Sequence, residues 1–369
     1  DTPDPPGGRI ERGPGGEPSG VLREEAMALV ESLLPENSQE ELMEGARRAL
    51  KMAAGFGLTA LHEAAADEKT LAAYAELERR GELTARVDAS FQLDPSSGVP
   101  DLEALRARHQ GKLLRLTGGK IFADGVLEAR TGAVLEPYVG RGGLGTALWD
   151  QKAFDEAASE LDRRGCQVHV HAVGDRAVRM ALDAVAEARR RNGPGGPTHE
   201  IVHLELIDPS DLPRFKALRV AAGFQPLWAW RDPYITDLTE PVLGPERSAR
   251  LYPLGSALRA GALLACGSDW SVSSMNPWEA IQVGATRRGL EEGPGQAWLP
   301  GETLPLDELL RCYTTGGALA GGLDAGALEP GKPADFIVLD RDPYRTPLHQ
   351  LKAVKVLETY LEGRRVYSE

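Results

Sequence analysis

Four residues combine a reactive side chain with a place at the end of an apolar run: Lys120 in "GGKIFADG", His171 in "CQVHVHAVGDRAV", with His169 two places before it, His203 in "IVHLELI" and Asp269 in "CGSDW". Neutral imidazole nitrogens and a carboxylate oxygen are the donors a divalent ion takes from a protein. A plain lysine is protonated at neutral pH and ligates poorly. In a strand, residues two apart share a face, so His169 and His171 point the same way, with His169 the deeper of the two. His171, His203 and Asp269 are therefore candidate ligands, and Lys120 needs further chemistry to join them. His169 reads as a packed or supporting histidine. Around these, Asp124 stands before Gly125, Asp175 follows the HVH strand, His199 precedes His203 by four residues, and Gln225 and Trp228 sit in "GFQPLWAWRDPY". All five are candidates for contacting substrate or steadying a ligand. An extended strand would put His199 and His203 on one face.

Such residues need a scaffold that brings separate strand ends together. Short Val, Leu and Ala-rich runs, from "LTALHEA" through "ARVDASFQL", "KLLRLTGGKIFADG", "QVHVHAVGD", "EIVHLELI" and "RVAAGFQPL" to "ALLACGSDW", alternate with helical stretches such as "QKAFDEAASELDRRG" and "DRAVRMALDAVAEARRR". That alternation predicts an α/β fold of parallel βαβ units. Seven such strands are one short of a closed (β/α)8 barrel, and barrel enzymes carry their chemistry at the C-terminal strand ends. Ahead of the first strand, "SQEELMEGARRALKMAAG" carries a Ser38–Glu41 capping box and a stop at Gly55, the signature of a helix. The unit that opens the series is thus a helix feeding a strand, and the eighth strand is expected before Asp1. Residues 1–20, crowded with Pro and Gly, read as a surface loop. "ADFIVLDRDP" and "VKVLETYLEGRRVYSE" have strand character around a Glu362-Gly363 turn and predict a small β-module. The strand pattern divides the chain into a barrel unit, 1–325, and a small β-module, 326–369.

Composition narrows the partners. With 369 residues and 42% hydrophobic content the chain can bury a sizeable core. Its formal charge of -13, with Lys and Arg scattered, argues against nucleic acid. No run approaches the roughly 20 apolar residues of a membrane span. Three cysteines without CxxC spacing argue against a disulfide framework or a thiolate zinc site and suit a reducing cytoplasm. The expected partner is a small molecule, and the one protein assembly allowed for is a homodimer.

The runs "KIFADGVLEARTGAVLEPY", "VHVHAVGDRAV", "HLELI", "GSDWSVSSMNPWEAI" and "YTTGGALAGGLDAGALEPGKPADFIVLDRDP", in this order, resemble the amidohydrolase superfamily. Within it they are similar to the metal-dependent hydrolases of amidohydrolase family 3, which include N-substituted formamide deformylases. The resemblance implies a (β/α)8 TIM-like barrel, with 1–325 as barrel strands two to eight and 326–369 as the C-terminal part of a small β-sandwich module, and hydrolysis of a C–N amide, formamide-type bond by metal-activated water. It implies that Lys120 is carboxylated by carbon dioxide, so that its carbamate ligates metal. It further implies that His171 and His203 ligate the more exposed ion, and that Asp269 both ligates the buried ion and accepts the proton of the attacking water. One or two divalent ions, zinc foremost, are the implied cofactors, and a small amide is the implied substrate. Val202 stands where the family has the Glu of an "EH" pair, and Ser271 where proline commonly follows "GSDW". The family's first-strand His-x-His does not occur before Lys120, and the chain is expected to lack the family's N-terminal part. A related cyclic amide hydrolase or deaminase, and a truncated non-catalytic fragment, remain the alternatives at this point.

Overall fold

A computed structural model describes residues 2–5, 8–24, 26–140 and 142–369. Twelve strands occur among them. β1 (Gly8–Arg12) and β2 (Pro18–Glu24) come first. The central series is β3 (Ala60–Ala66), β4 (Arg86–Gln92), β5 (Leu114–Phe122), β6 (Gln167–Ala172), β7 (His199–His203), β8 (Val220–Phe224) and β9 (Leu263–Cys266). β10 (Phe336–Leu339), β11 (Val356–Leu361) and β12 (Arg364–Ser368) close the chain. The principal helices are α1 (Ala28–Glu31), α2 (Gln39–Gly55), α3 (Glu68–Arg79), α4 (Leu102–His109), α5 (Gln151–Arg163), α6 (Asp175–Asn192) and α7 (Leu212–Leu218).

β3 to β9 form one seven-stranded parallel sheet in sequential order. These are the seven strands read from the alternation of apolar runs, and they make the sheet of a TIM-like barrel with β3 and β9 at the ends of its hydrogen-bonded order. The sheet is strongly curled. On a flat sheet β3 and β6, three strands apart, would be separated by about 14 Å; instead the rings of His62 and His169, one from each, lie with centroids 4.3 Å apart. Curling is what lets side chains from distant strands meet in one interior.

The outer layer explains the helix positions. α6 buries Ala177, Val178, Ala181, Leu182 and Val185 on the stripe a 3.6-residue period provides. Three arginines occupy its last turn, where the helix dipole favours cations. α5 starts on an Asp150 cap whose side chain accepts from Lys152 N at 2.9 Å. Phe154 of α5, fully buried, joins Leu161, Val168, Val170, Ala181 and Ile201 in the core between helices and sheet; emptying a site of that kind to Ala typically costs about 3–5 kcal/mol. The Ser38–Glu41 capping box of α2 forms as its sequence demands.

Two terminal segments complete the picture. Gly8–Arg12 and Pro18–Glu24 pair as an antiparallel hairpin where a surface loop was expected. The Gly and Pro residues concentrate in its turn, with Gly16 at φ 85°, and leave "RIER" and "VLRE" free to pair. At the other end β10, β11 and β12 form a three-stranded antiparallel sheet, β11 and β12 joined through Glu362 and Gly363 at φ 50° and 76°, the type I′ pattern. One face of this sheet is covered by the barrel's leading helix. α2 packs on it, with Thr359 Oγ1 donating to Ala54 O at 2.7 Å, and Val356 and Leu361 are buried. Arg86 ties the sheet to the barrel through Asp335 and, at 3.0 Å, Glu362. Among the described residues no helix is long and apolar enough to cross a membrane.

Candidate metal centre

Register fixes the innermost row. Lys120 of β5 pairs with His169 of β6, and His169 with Glu200 of β7. His171 follows two residues later on the same face, nearer the strand end. β7 does not keep the alternation that would align His199 with His203. His203 and Leu204 adopt φ 79° and 53°, a left-handed turn that is uncommon outside glycine and concentrates at functional sites. The turn swings the His203 ring to within 4.5 Å of the His171 ring. His199 stays on the helix side, its Nε2 3.1 Å from Asp162 Oδ1 and its Nδ1 accepting from Val168 N at 3.1 Å. It is a packed histidine, apart from the interior row.

The partners of the two close imidazoles set which nitrogen each has available. His203 Nδ1 lies 2.9 Å from Gln225 Oε1, an acceptor, so Nδ1 carries the hydrogen and Nε2 keeps its lone pair. His171 Nε2 lies 3.1 Å from Gly125 O, which likewise leaves Nδ1 free. An N–H tied to a carbonyl with the opposite nitrogen free is the arrangement of metal-ligating histidines. Trp228 stacks on His203 at 5.7 Å and 9° between planes, holding the ring from the other side. Burial drives both imidazoles toward the neutral form, His171 down to about 3 and His203 well below its ordinary value. Neutral rings are what a metal needs.

Asp124 and Asp175 hold the surrounding loops. Asp124 accepts from Val173 N at 3.0 Å, Gly174 N at 2.9 Å and Ala133 N at 2.8 Å, and its Oδ1 is 3.6 Å from His171 Nε2. Burial pushes its carboxyl up to about 7 while those three donors pull it down. With three N–H groups aimed at its two oxygens, Asp124 reads as a carboxylate that fixes the loop behind His171. Asp175 opens α6 and accepts from Leu135 N at 2.8 Å.

Lys120 is 2% exposed, with Nζ 4.9 Å from the Phe122 ring centroid. Burial pushes its amine down to about 8 against the pull of Asp269 and Glu200. Asp269, at φ 53° just past β9, is exposed at the rim, yet it feels the charge of Lys120. Partial loss of solvent around its carboxyl raises its pKa, and Lys120 lowers it.

A deeper group was not singled out from sequence as a set. His62 Nδ1 and His169 Nδ1 lie 3.9 Å and 3.7 Å from Glu200 Oε2, and the donor atoms of all three residues fall within 4.8 Å of one another. Burial raises the Glu200 carboxyl to about 7. The signal for it was an acidic residue inside the otherwise apolar strand "EIVH", since Glu is rarely buried without a partner. The donor set as a whole, several neutral imidazoles and carboxylates oriented from behind, suits a divalent first-row ion.

Comparison with known proteins agrees with this chemistry. The amidohydrolase family model matches residues 1–367. The chain is 31% identical to the protein LONG AFTER FAR-RED 3 of Arabidopsis thaliana over 382 aligned residues, covering 99% of this chain and 64% of that one. It is 26% identical to the N-substituted formamide deformylase of Arthrobacter pascens, covering 98% of this chain and 68% of that enzyme. A crystal structure of an uncharacterized metal-dependent hydrolase from Pyrococcus furiosus superposes with a TM-score of 0.72 at 29% identity, over 88% of this chain and 65% of that one. The chain thus spans about two thirds of the length of these relatives. From the curled parallel sheet, the oriented histidines and the match along its length, the chain belongs to the amidohydrolase family.

Proposed function

We propose that the chain is the working part of a metal-dependent hydrolase that cleaves a non-peptide C–N amide bond of formamide type. The observation that carries this reading is the pair His171 and His203, rings 4.5 Å apart, each with one N–H spent on a carbonyl and the other nitrogen free. A divalent ion bound there, zinc by the chemistry of its ligands, lowers the pKa of water and polarises a substrate carbonyl.

The protein's own groups supply the rest. Carbamate formation needs a neutral amine, and a lysine at about 8 is about one tenth neutral at pH 7, against roughly 0.03% at the ordinary 10.5. Burial therefore prepares Lys120 Nζ to take carbon dioxide and become an anionic oxygen ligand. Asp269, its carboxylate made more basic by partial loss of solvent, accepts a proton from the attacking water on a side-chain oxygen. Trp228 presents an aromatic face beside His203 and favours a substrate with an apolar or aromatic substituent on nitrogen. In this reading residues 1–325 form the hydrolase unit and 326–369 a small β-module that braces it. Three free thiols, Cys166, Cys266 and Cys312, suit a reducing cytoplasm.

The test is release of formate from N-benzylformamide and related N-substituted amides by the purified chain reconstituted with zinc and bicarbonate. Metal-dependent formate release supports the reading. A folded, metal-loaded protein that releases neither formate nor amine from any of these amides contradicts it.

A further inference from the structure

The deeper group, His62, His169 and Glu200, belongs to three different strands and lies below the pair His171 and His203. His169 is two residues down β6 from His171, about 6.6 Å along the strand. Of the three residues, His169 and Glu200 are buried. His169 Nδ1 makes no hydrogen bond although fully enclosed, and a buried polar atom left unpaired is costly enough to call for a missing partner. It faces Glu200 Oε2 at 3.7 Å. His62 Nδ1 faces the same oxygen at 3.9 Å, while its Nε2 is engaged with Ser90 Oγ at 2.9 Å. If that Nε2–H donates to Ser90, Nδ1 presents a lone pair. Three donor atoms then converge on one point.

We infer that His62, His169 and Glu200 form a second binding site, for a divalent ion of the zinc or cobalt type, separate from the pair His171 and His203. A tetrahedral ion with bonds of about 2.1 Å has ligand-to-ligand edges of about 3.4 Å. The observed 3.7 and 3.9 Å separations from Glu200 need only a few tenths of an ångström of contraction to reach that. Two imidazoles and a carboxylate are a zinc-type donor set, and His62, on the more open side, leaves the fourth position to water. Gly223 makes room for the acid: a Cβ there would stand 2.7 Å from Glu200 Oε1. Lys120, the register neighbour of His169, opposes a dication while it is protonated and ceases to do so when neutral or carbamylated.

The site would act as a clip. His62 lies on β3 and its partners on β6 and β7, so an ion there ties strands three and four places apart across the interior and holds the sheet curled. Binding to the native state alone raises stability by RT ln(1 + L/Kd), where L is the free metal concentration, so the melting temperature climbs with free metal.

The experiment uses the chain with His171→Ala and His203→Ala combined, which removes the outer pair and leaves the deep group intact. After chelation and dialysis, cobalt(II) binding is followed by elemental analysis and by thermal unfolding. The expected result is one ion per chain and a raised melting temperature. Adding Glu200→Gln or His62→Asn should each weaken cobalt binding about 100-fold or more and erase the thermal shift, since even partners behind a ligand are worth 10–100-fold. Circular dichroism without metal identifies any variant that fails to fold, and the other then gives the reading. No cobalt bound by the double variant, or binding indifferent to whichever of Glu200→Gln and His62→Asn folds, overturns the inference. Loss of an ion between wild type and the double variant reports on the outer pair alone, so the two readings fail separately.

Discussion

Gln225→Leu removes the acceptor behind His203 while keeping the side chain's approximate volume. Gln225 and His203 are each less than a tenth exposed, and Oε1 is 2.9 Å from Nδ1. In the variant the Nδ1 hydrogen loses its partner, and the ring is free to move its hydrogen to Nε2 or to rotate out of place. Leaving a buried donor unsatisfied costs about 1–3 kcal/mol, and losing such a partner weakens metal binding by about 10–100-fold, or about 1.4–2.7 kcal/mol. Zinc affinity measured by chelator competition should fall by that factor, and the melting temperature of the metal-free protein should also drop. Gln225→Glu, which places a carboxylate behind the imidazole, should bind zinc at least as tightly as wild type. Wild-type zinc affinity in a folded Gln225→Leu protein would refute the claim that Gln225 sets the tautomer of a ligand.

Lys120→Ala and Asp269→Asn should each cut amide turnover by at least about 100-fold while leaving the circular dichroism unchanged; full activity in either would show that the assigned role is wrong. Asp124→Ala strands three backbone N–H donors and should destabilise the fold by at least about 3 kcal/mol, read as a lower urea midpoint. His62 and His171, held down at about 3 in the fold, return to about 6.5 when unfolded. Between those values the unfolded chain binds protons that the folded one does not, so stability is present above about 6.5 and is lost as pH falls toward 3. Asp124 and Glu200, raised to about 7 by burial, act in the opposite direction over the same range, so the histidine contribution is read as a difference: the excess of the metal-free wild-type urea midpoint over that of His62→Asn should shrink from pH 7.5 to 5, and a difference that stays constant would contradict the burial argument.

The barrel was legible because parallel strands covered on both sides are written as short apolar runs, and "QVHVHA" and "VAAGF" remain recognisable even with histidines inside one of them. The capping box at Ser38 marks its helix for a similarly local reason. Three features escaped. The first hairpin is hidden by a turn so rich in Gly and Pro that it masks the two short strands it joins. The separation of His199 from His203 depends on a positive φ at His203, which period-two alternation cannot foresee. Glu200 was overlooked because its meaning comes from His62, 138 positions earlier, brought near only by the curl of the sheet. Local patterns specify strands and caps; which strand ends face one another is a property of closure.

In the proposed hydrolase His171 and His203 hold a divalent ion beside a carboxylated Lys120. An anomalous diffraction map from crystals of the chain grown with zinc and bicarbonate reads both features at once. The expected map has a zinc peak within about 2.1 Å of His171 Nδ1 and His203 Nε2, with carbamate density extending from Lys120 Nζ. A zinc-loaded crystal in which those two nitrogens contact no metal, and Lys120 ends at its amine, would contradict it.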